Sequence, residues 1–317
     1  MNGYSRRFFL TAMIMSAFTV ACKNNYHNSS VSSKDKSISA KTPSRIVALE
    51  WVYVEDLLAL GIQPVGVADI NGYQKFVDIQ PQLAASVADI GTRAEPNLEA
   101  IAQLEPDLII GVELRHQVIY DTLASIAPTL LFNPYPSADS SINQLSEMQQ
   151  TFIKIADTVK REKQGKAVLE KIQTTFTQAE KKISDLKIAN RKFLLGQFSD
   201  SAPQLRLFTD DAMVIQILQQ IGLENAWSGK FDSFGFNTVW IEALPKVEAA
   251  NFIYITTNNN SHWQQLQNNP VWKGLQFVKE NRLYPIASDT WVFGGPLSAE
   301  ILVNKVVTAF EEKMNYS

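Results

Sequence analysis

Residues 91–120, GTRAEPNLEAIAQLEPDLIIGVELRHQVIY, constrain the fold more than any other stretch. They read as a loop with an arginine, a helix, a buried strand and a second loop with an arginine. The apolar run within 107–111, following Pro106, suits a strand covered on both faces, as in a parallel sheet. Pro96 and Asn97 supply helix-start chemistry just before Leu98, Ile101 and Leu104. Arg93 directly follows the apolar run 87–90, and Arg115 closely follows 107–111. Both arginines then sit beyond the carboxyl ends of parallel strands, where open α/β sheets bind ligands. A guanidinium is a rigid fork of donors, so two on one rim fit an anionic or oxygen-rich ligand. Two solvated loop arginines are the competing reading. It is the better one for either residue alone, and their shared edge favours a site.

A chain of 317 residues has room for two ordinary domains. Its charge balance excludes a nucleic-acid binder, which needs a basic surface. The 29 basic residues less Arg6 and Arg7 leave 27 against 32 acidic, a net −5 once residues 1–21 are removed. Those residues read as an export signal. Ser5-Arg6-Arg7-Phe8-Phe9-Leu10 resembles the twin-arginine motif, an apolar run follows, and Cys22 stands at its end. Thr19-Val20-Ala21-Cys22 resembles a lipobox, with Thr19 where leucine is usual. Cys22 is the only cysteine, so no intrachain disulfide forms and lipidation is its expected fate. The alternative is cleavage nearby and a freely soluble protein. Residues 22–44, rich in Ser, Asn and Lys, suit a flexible linker. The expected location is the periplasm or the outer face of the cytoplasmic membrane.

Strands are expected at 45–50, 64–68, 86–90, 107–111 and 129–132, with helices at 54–60 and 119–126. Trp51 follows the first strand at the same edge as Arg93 and Arg115. Strands alternating with helices give an α/β lobe with a largely parallel sheet over 45–140. Apolar residues then recur at three- and four-residue steps from Ile142 to Leu186, and Gly165 reads as a break between two helices. Residues 141–165 are expected to bridge to a second lobe, 166–317. That lobe shows strands near 193–198, 205–208, 252–256 and 283–287. It echoes the first, since Leu98-Glu99-Ala100-Ile101 before one strand matches Ile241-Glu242-Ala243-Leu244 before another. Two such lobes enclose a cleft, the usual place for a small ligand. Arg206, Phe234, Trp291 and Phe293 are its candidates from the second lobe; Trp227 and Trp272 read as core.

RIVALEWVYVEDLLALGIQPVGVAD, GTRAEPNLEAIAQLEPDLII and RHQVIYDTLASIAP resemble the iron-siderophore substrate-binding proteins of ABC importers, over about residues 45–310. The resemblance implies two Rossmann-like α/β lobes joined by a long α-helix, with a ferric complex held in a shallow cleft. Arg93 matches an arginine that contacts ligand in hydroxamate binders. Arg115, with Arg206, matches basic positions of carboxylate-type binders. No tyrosine aligns clearly with the one that touches ligand in hydroxamate binders, and Phe234 stands near a ligand-packing tryptophan. These departures favour a citrate-hydroxamate ligand of the schizokinen or aerobactin kind over a ferrichrome. Trp51 and Trp291 would pack the ligand, and His116 beside Arg115 would touch it or be solvated. Glu99 and Glu242 match the pair that docks on the membrane permease; the alternative is that each merely favours a helix N-terminus.

The siderophore fills the ferric coordination shell, so no protein metal ligand and no cofactor is expected, and only three histidines exist. The implied partners are the ferric siderophore, the permease with its ATPase, and the membrane through the lipid anchor, with the protein a monomer. A cobalamin or haem binder on the same fold would want a more aromatic, less arginine-rich cleft. An enzyme is not expected: there is no Gly-x-Ser-x-Gly elbow, His-rich motif or phosphate loop. A sensor using the same lobes stays open.

Overall fold

The computed structural model describes residues 42–315 apart from 189, 200 and 258. The export signal, Cys22 and nearly all of the expected linker lie outside the described residues.

The first lobe is built on β1 (Ile46–Ala48), β2 (Gly66–Val67), β3 (Ala88–Asp89), β4 (Leu108–Val112) and β5 (Thr129–Phe132). They form one sheet in the order β3-β2-β1-β4-β5 with every pairing parallel. Each strand is short, and β1 and β4 are wholly buried, because helices cover both faces of a parallel sheet. The helices are α1 (Trp51–Ala59), α2 (Ile70–Phe76), α3 (Leu98–Gln103), α4 (Glu113–His116) and α5 (Tyr120–Ile126). Helix α1 begins three residues before the expected 54–60, because Glu50 takes the N-cap position and the helix starts directly off β1. At α3 the Asn97 side chain accepts the Ala100 N–H at 3.0 Å, the cap expected from the sequence.

Two helices follow. In α6 (Gln144–Thr158), Leu145 and Met148 belong to the second lobe's core, while Phe152, Ile155 and Ala156 belong to the first lobe's. The helix therefore threads both cores and joins the lobes. In α7 (Glu162–Asp185) the chain returns, and Ile172, Phe176, Ala179 and Ile183 enter the second core. The break between them is not at Gly165. It falls at Val159–Arg161, where Lys160 takes a left-handed conformation (φ 56°). Gly165 lies inside α7 because a Cβ there would come within 2.7 Å of the Ala156 Cβ. The glycine marks a close helix approach rather than a stop.

The second lobe holds β6 (Lys192–Phe198), β7 (Leu205–Phe208), β8 (Glu224–Asn225), β9 (Phe236–Val239), β10 (Asn251–Ile255) and β11 (Leu283–Ile286), ordered β11-β10-β6-β7-β9 with β8 beside β6. Its β11-β10-β6 half is parallel, whereas β7 and β9 are antiparallel additions. The helices are α8 (Met213–Gln220), α9 (Ser261–Leu266), α10 (Pro270–Gly274), α11 (Gln276–Lys279) and α12 (Pro296–Asn315). The internal echo holds in position and not in helix type, since Ile241–Val247 is a 3-10 helix containing Pro245. Phe236 lies in a strand, because β9 hydrogen-bonds along β7. Between the lobes, the buried Glu55 carboxylate accepts the Ser298 N–H (2.7 Å) and Oγ–H (2.6 Å) at the start of α12. A helix N-terminus favours a negative group in this position.

Candidate functional site

A cleft of about 320 Å³ lies between the lobes, at the carboxyl ends of the first lobe's strands. Its mouth is set by one carboxylate. Glu50 leaves the end of β1 as the cap of α1 and is almost wholly buried. Arg93 Nη1 donates to its Oε1 at 2.7 Å, and Arg115 Nη1 donates to its Oε2 at 2.7 Å. Arg93 comes from the loop after β3 and Arg115 from α4, so the two arginines expected at one sheet edge do meet, on an acid that the sequence reading did not single out. Each guanidinium has five N–H donors, so the pairing with Glu50 leaves donors for a ligand.

Arg93 is held from three sides. Its guanidinium carbon lies 3.6 Å from the Trp51 ring centroid, a cation–π contact, and its Nε is 3.9 Å from Asp69 Oδ2. Its carbonyl oxygen accepts from His116 Nε2 at 2.9 Å. His116 Nδ1 accepts the Val112 N–H at 3.0 Å, which puts the ring proton on Nε2. Burial pushes the His116 pKa down, with the bond to the Arg93 carbonyl opposing, so the ring is neutral. His116 is fully buried and belongs to a helix rather than a loop. It does not line the cleft, and its place is behind Arg93.

Trp51, expected to pack the ligand, does not line the cleft either. It is 2% exposed, its Nε1–H donates to the Ala68 carbonyl at 3.1 Å, and it lies behind the cleft wall as a support for Arg93. Trp291 lines the cleft and meets Trp51 edge-on at 4.9 Å. Phe293 lines it too, 5.4 Å from Trp291 and 6.2 Å from Phe236. Phe234 packs edge-on against Tyr135 at 5.0 Å, across the cleft between lobes. Arg206 stands on β7 over the Phe236 ring, 4.5 Å from its centroid, and faces the Arg93–Arg115 pair from the other lobe. Six of the eight expected ligand-binding residues thus line one cleft.

The sequence reading missed Tyr53, Asp56, Tyr135, Gln144, Glu147 and Thr151, all of which line it. Burial raises the Tyr135 pKa to about 12, with Glu50 adding to the rise, so it remains a phenol. Tyr53 and Tyr135 both line the cleft, where the sequence aligned no clear tyrosine. Glu55-Asp56 inside an otherwise apolar helix was the one available signal of buried polar chemistry. Glu99 and Glu242 lie elsewhere, both exposed, at the starts of α3 and of the 3-10 helix that echoes it.

The architecture defines a two-lobed binding protein whose cleft is lined by arginines, carboxyl groups and aromatic rings. The chain belongs to the family described as periplasmic binding protein, which it matches over residues 46–290. It is 32% identical to the Fe(3+)-citrate-binding protein YfmC of Bacillus subtilis, covering 97% of this chain and 98% of that one. It is 30% identical to the iron(3+)-hydroxamate-binding protein FhuD of Escherichia coli, covering 93% of each. Among solved structures, the Fe3+–Desferal-bound FhuD of Vibrio cholerae superposes with a TM-score of 0.75 at 27% identity, over 84% of this chain and 97% of that one.

Proposed function

We propose that the protein captures a ferric siderophore between its lobes and delivers it to an ABC permease for iron uptake, without a catalytic step. The observation that carries this reading is the convergence of Arg93 and Arg115 on Glu50 at the mouth of a cleft that Arg206 faces from the other lobe. At the mouth three guanidiniums stand against the Glu50 carboxylate and leave donors for an oxygen-rich anionic ligand, and Trp291, Phe293 and Phe234 give the ligand's carbon frame an apolar wall. Relatives named for ferric citrate and for ferric hydroxamates support the same class. Within it, the arginine count favours a citrate-hydroxamate complex such as ferric schizokinen or aerobactin. Tyr135 favours a second reading, a hydroxamate ligand without citrate, because a tyrosine does line the cleft. Both arginine-rich readings rank above cobalamin or haem.

Glu99 and Glu242 are assigned to permease docking, Cys22 to lipid anchoring after twin-arginine export, and the working unit is a monomer. The test is tryptophan-fluorescence titration with ferric schizokinen, ferric citrate, ferrichrome, cobalamin and haem. Tight binding of ferric schizokinen, weakened about tenfold or more by Arg115→Ala, is the expected result, since a hydrogen bond to a charged group contributes roughly 1.5–3 kcal/mol. Ferrichrome binding that ignores Arg115→Ala replaces the ligand with the hydroxamate alternative. Binding of cobalamin or haem alone ends the siderophore reading.

A further inference from the structure

The inner end of the cleft carries polar groups that the arginine mouth does not use. Tyr53 and Asp56 sit three residues apart on α1, so they share one face, and both line the cleft. Both side chains are buried, Tyr53 completely and Asp56 to 2% exposure. Neither the Tyr53 hydroxyl nor Asp56 Oδ1 has a hydrogen-bond partner. Their neighbour Glu55 is equally buried but is satisfied by Ser298. Buried polar groups nearly always find partners, so these two orphans, with the Trp291 Nε1–H as a third lining the same cavity, point to a ligand that supplies the missing atoms. Glu147 reaches the same space from α6, where Thr151 donates to its Oε1 at 2.5 Å.

The charged surroundings decide what these groups offer. Among the described residues no ion pair involves Asp56 or Glu147, because Arg93 and Arg115 are both engaged by Glu50. The groups acting on this end are acidic: Glu50, Glu55 and Asp56 around α1, Glu147 on α6 and Glu113 on α4. Tyr135 faces it after β5, with Arg115 and Arg93 beyond. Burial first, and the like charges of Glu55 and Glu147 second, hold the Asp56 pKa well above the carboxylate range. Burial raises Glu147 to about 7 despite the Thr151 bond, and keeps Tyr53 a phenol. Among the described residues no group of three His, Cys, Asp or Glu could hold a metal ion, so the cluster is not a coordination site.

We propose that the inner end of the cleft is a proton-donating subsite, in which the Asp56 carboxyl and the Tyr53 hydroxyl donate hydrogen bonds to a carboxylate, hydroxamate or carbonyl oxygen of the bound complex. The inference rests on the ferric-siderophore reading and extends it. The arginines take the complex at the mouth, and neutral O–H groups take its innermost oxygens. No covalent bond of the ligand is made or broken. Where Glu147 is ionised before binding, the complex takes up one proton, because a negative Glu147 repels the oxygen arriving beside it.

Calorimetric titration of the purified protein with ferric schizokinen and with ferrioxamine B, in buffers of different ionisation enthalpy, tests this. Tyr53→Phe and Asp56→Leu should each weaken binding about tenfold, and Asp56→Asn, which retains an N–H donor, should rescue it to within about threefold of wild type. Wild-type affinity should fall about tenfold from pH 6 to pH 8.5 with proton uptake, and Glu147→Gln should flatten that profile. Thermal unfolding checks that each variant folds; if Asp56→Leu does not, Tyr53→Phe decides alone, since it keeps the ring. Unchanged binding in Tyr53→Phe and Asp56→Leu overturns the subsite while leaving the siderophore reading intact. Asp56→Asn as damaging as Asp56→Leu overturns it differently, showing that the floor acts as an anion towards a cationic arm of the ligand. A wild-type protein that binds no ferric complex ends both.

Discussion

At the scale of single residues, the cleft depends on side chains that hold other side chains. Arg93 and Arg115 were legible because their positions after apolar runs place them at one sheet edge. Their common partner Glu50 was not, since nothing local distinguishes an acid capping a helix from one accepting two guanidiniums. His116 was misplaced for a related reason. A histidine beside a loop arginine reads as solvated or ligand-facing, whereas α4 turns it inward, between the Val112 N–H and the Arg93 carbonyl. His116→Gln should therefore weaken ferric-complex binding only indirectly, by a few fold, through a loosened Arg93 loop. It should cost about 1–2 kcal/mol of stability at pH 7.5 for a buried bond poorly replaced. The pH dependence has a definite sign. The folded ring has a lowered pKa, so the unfolded chain takes up its proton first as pH falls below about 6.5. This contribution is present above that pH and is lost below it. Urea unfolding at pH 7.5 and 5.5 should show a smaller wild-type advantage at the lower pH; an advantage that grows there would refute the neutral, buried ring.

At the scale of elements, apolar runs and caps located every strand of the first lobe, and β5 and β7 fall where expected, to the residue. Helix breaks were harder. The glycine rule pointed to Gly165, but the chain turns at Lys160 without glycine, and Gly165 serves packing. Its missing side chain lets α7 approach Ala156 of α6, the helix that carries Gln144, Glu147, Met148 and Thr151 to the cleft. Gly165→Leu should force α6 and α7 apart at a cost of about 1–3 kcal/mol, the usual penalty for overpacking. In a chain of this size that lowers Tm by roughly 2–4 °C per kcal/mol. Differential scanning calorimetry reads the shift, and fluorescence titration should show weaker ligand binding, because the displaced helix moves one cleft wall. A stability unchanged or raised, as a helix propensity gain alone would give, contradicts the close-packing role. The strand β9 was hidden for another reason. Its four residues have no alternating pattern, and only pairing with β7, distant in sequence, makes them a strand.

At the scale of the whole molecule, the two-lobe plan was readable because the sequence repeats it. Leu98-Glu99-Ala100-Ile101 and Ile241-Glu242-Ala243-Leu244 each precede a buried strand, β4 and β10, although one forms an α-helix and the other a 3-10 turn. On the proposed docking role, the motif keeps an exposed acid at equivalent places in the two lobes whatever the helix type. A merely helix-favouring acid contributes about 0.3–1 kcal/mol by its position in a first turn, and the 3-10 segment offers it little. Both glutamates are exposed, and among the described residues neither forms an ion pair. They are available for basic groups on a partner, where charge complementarity governs encounter and register more than affinity. The double variant Glu99→Ala, Glu242→Ala should fold with a Tm within about 2 °C of wild type, as surface changes usually stay within ±0.5 kcal/mol. Ferric-complex binding should be unaltered, because neither residue lines the cleft. Uptake of radiolabelled iron by cells carrying the variant should fall about tenfold or more, with each single variant intermediate, as two equivalent contacts require. Full uptake in the double variant removes the docking assignment, and weakened ligand binding in it would mean that docking and capture are not separate surfaces.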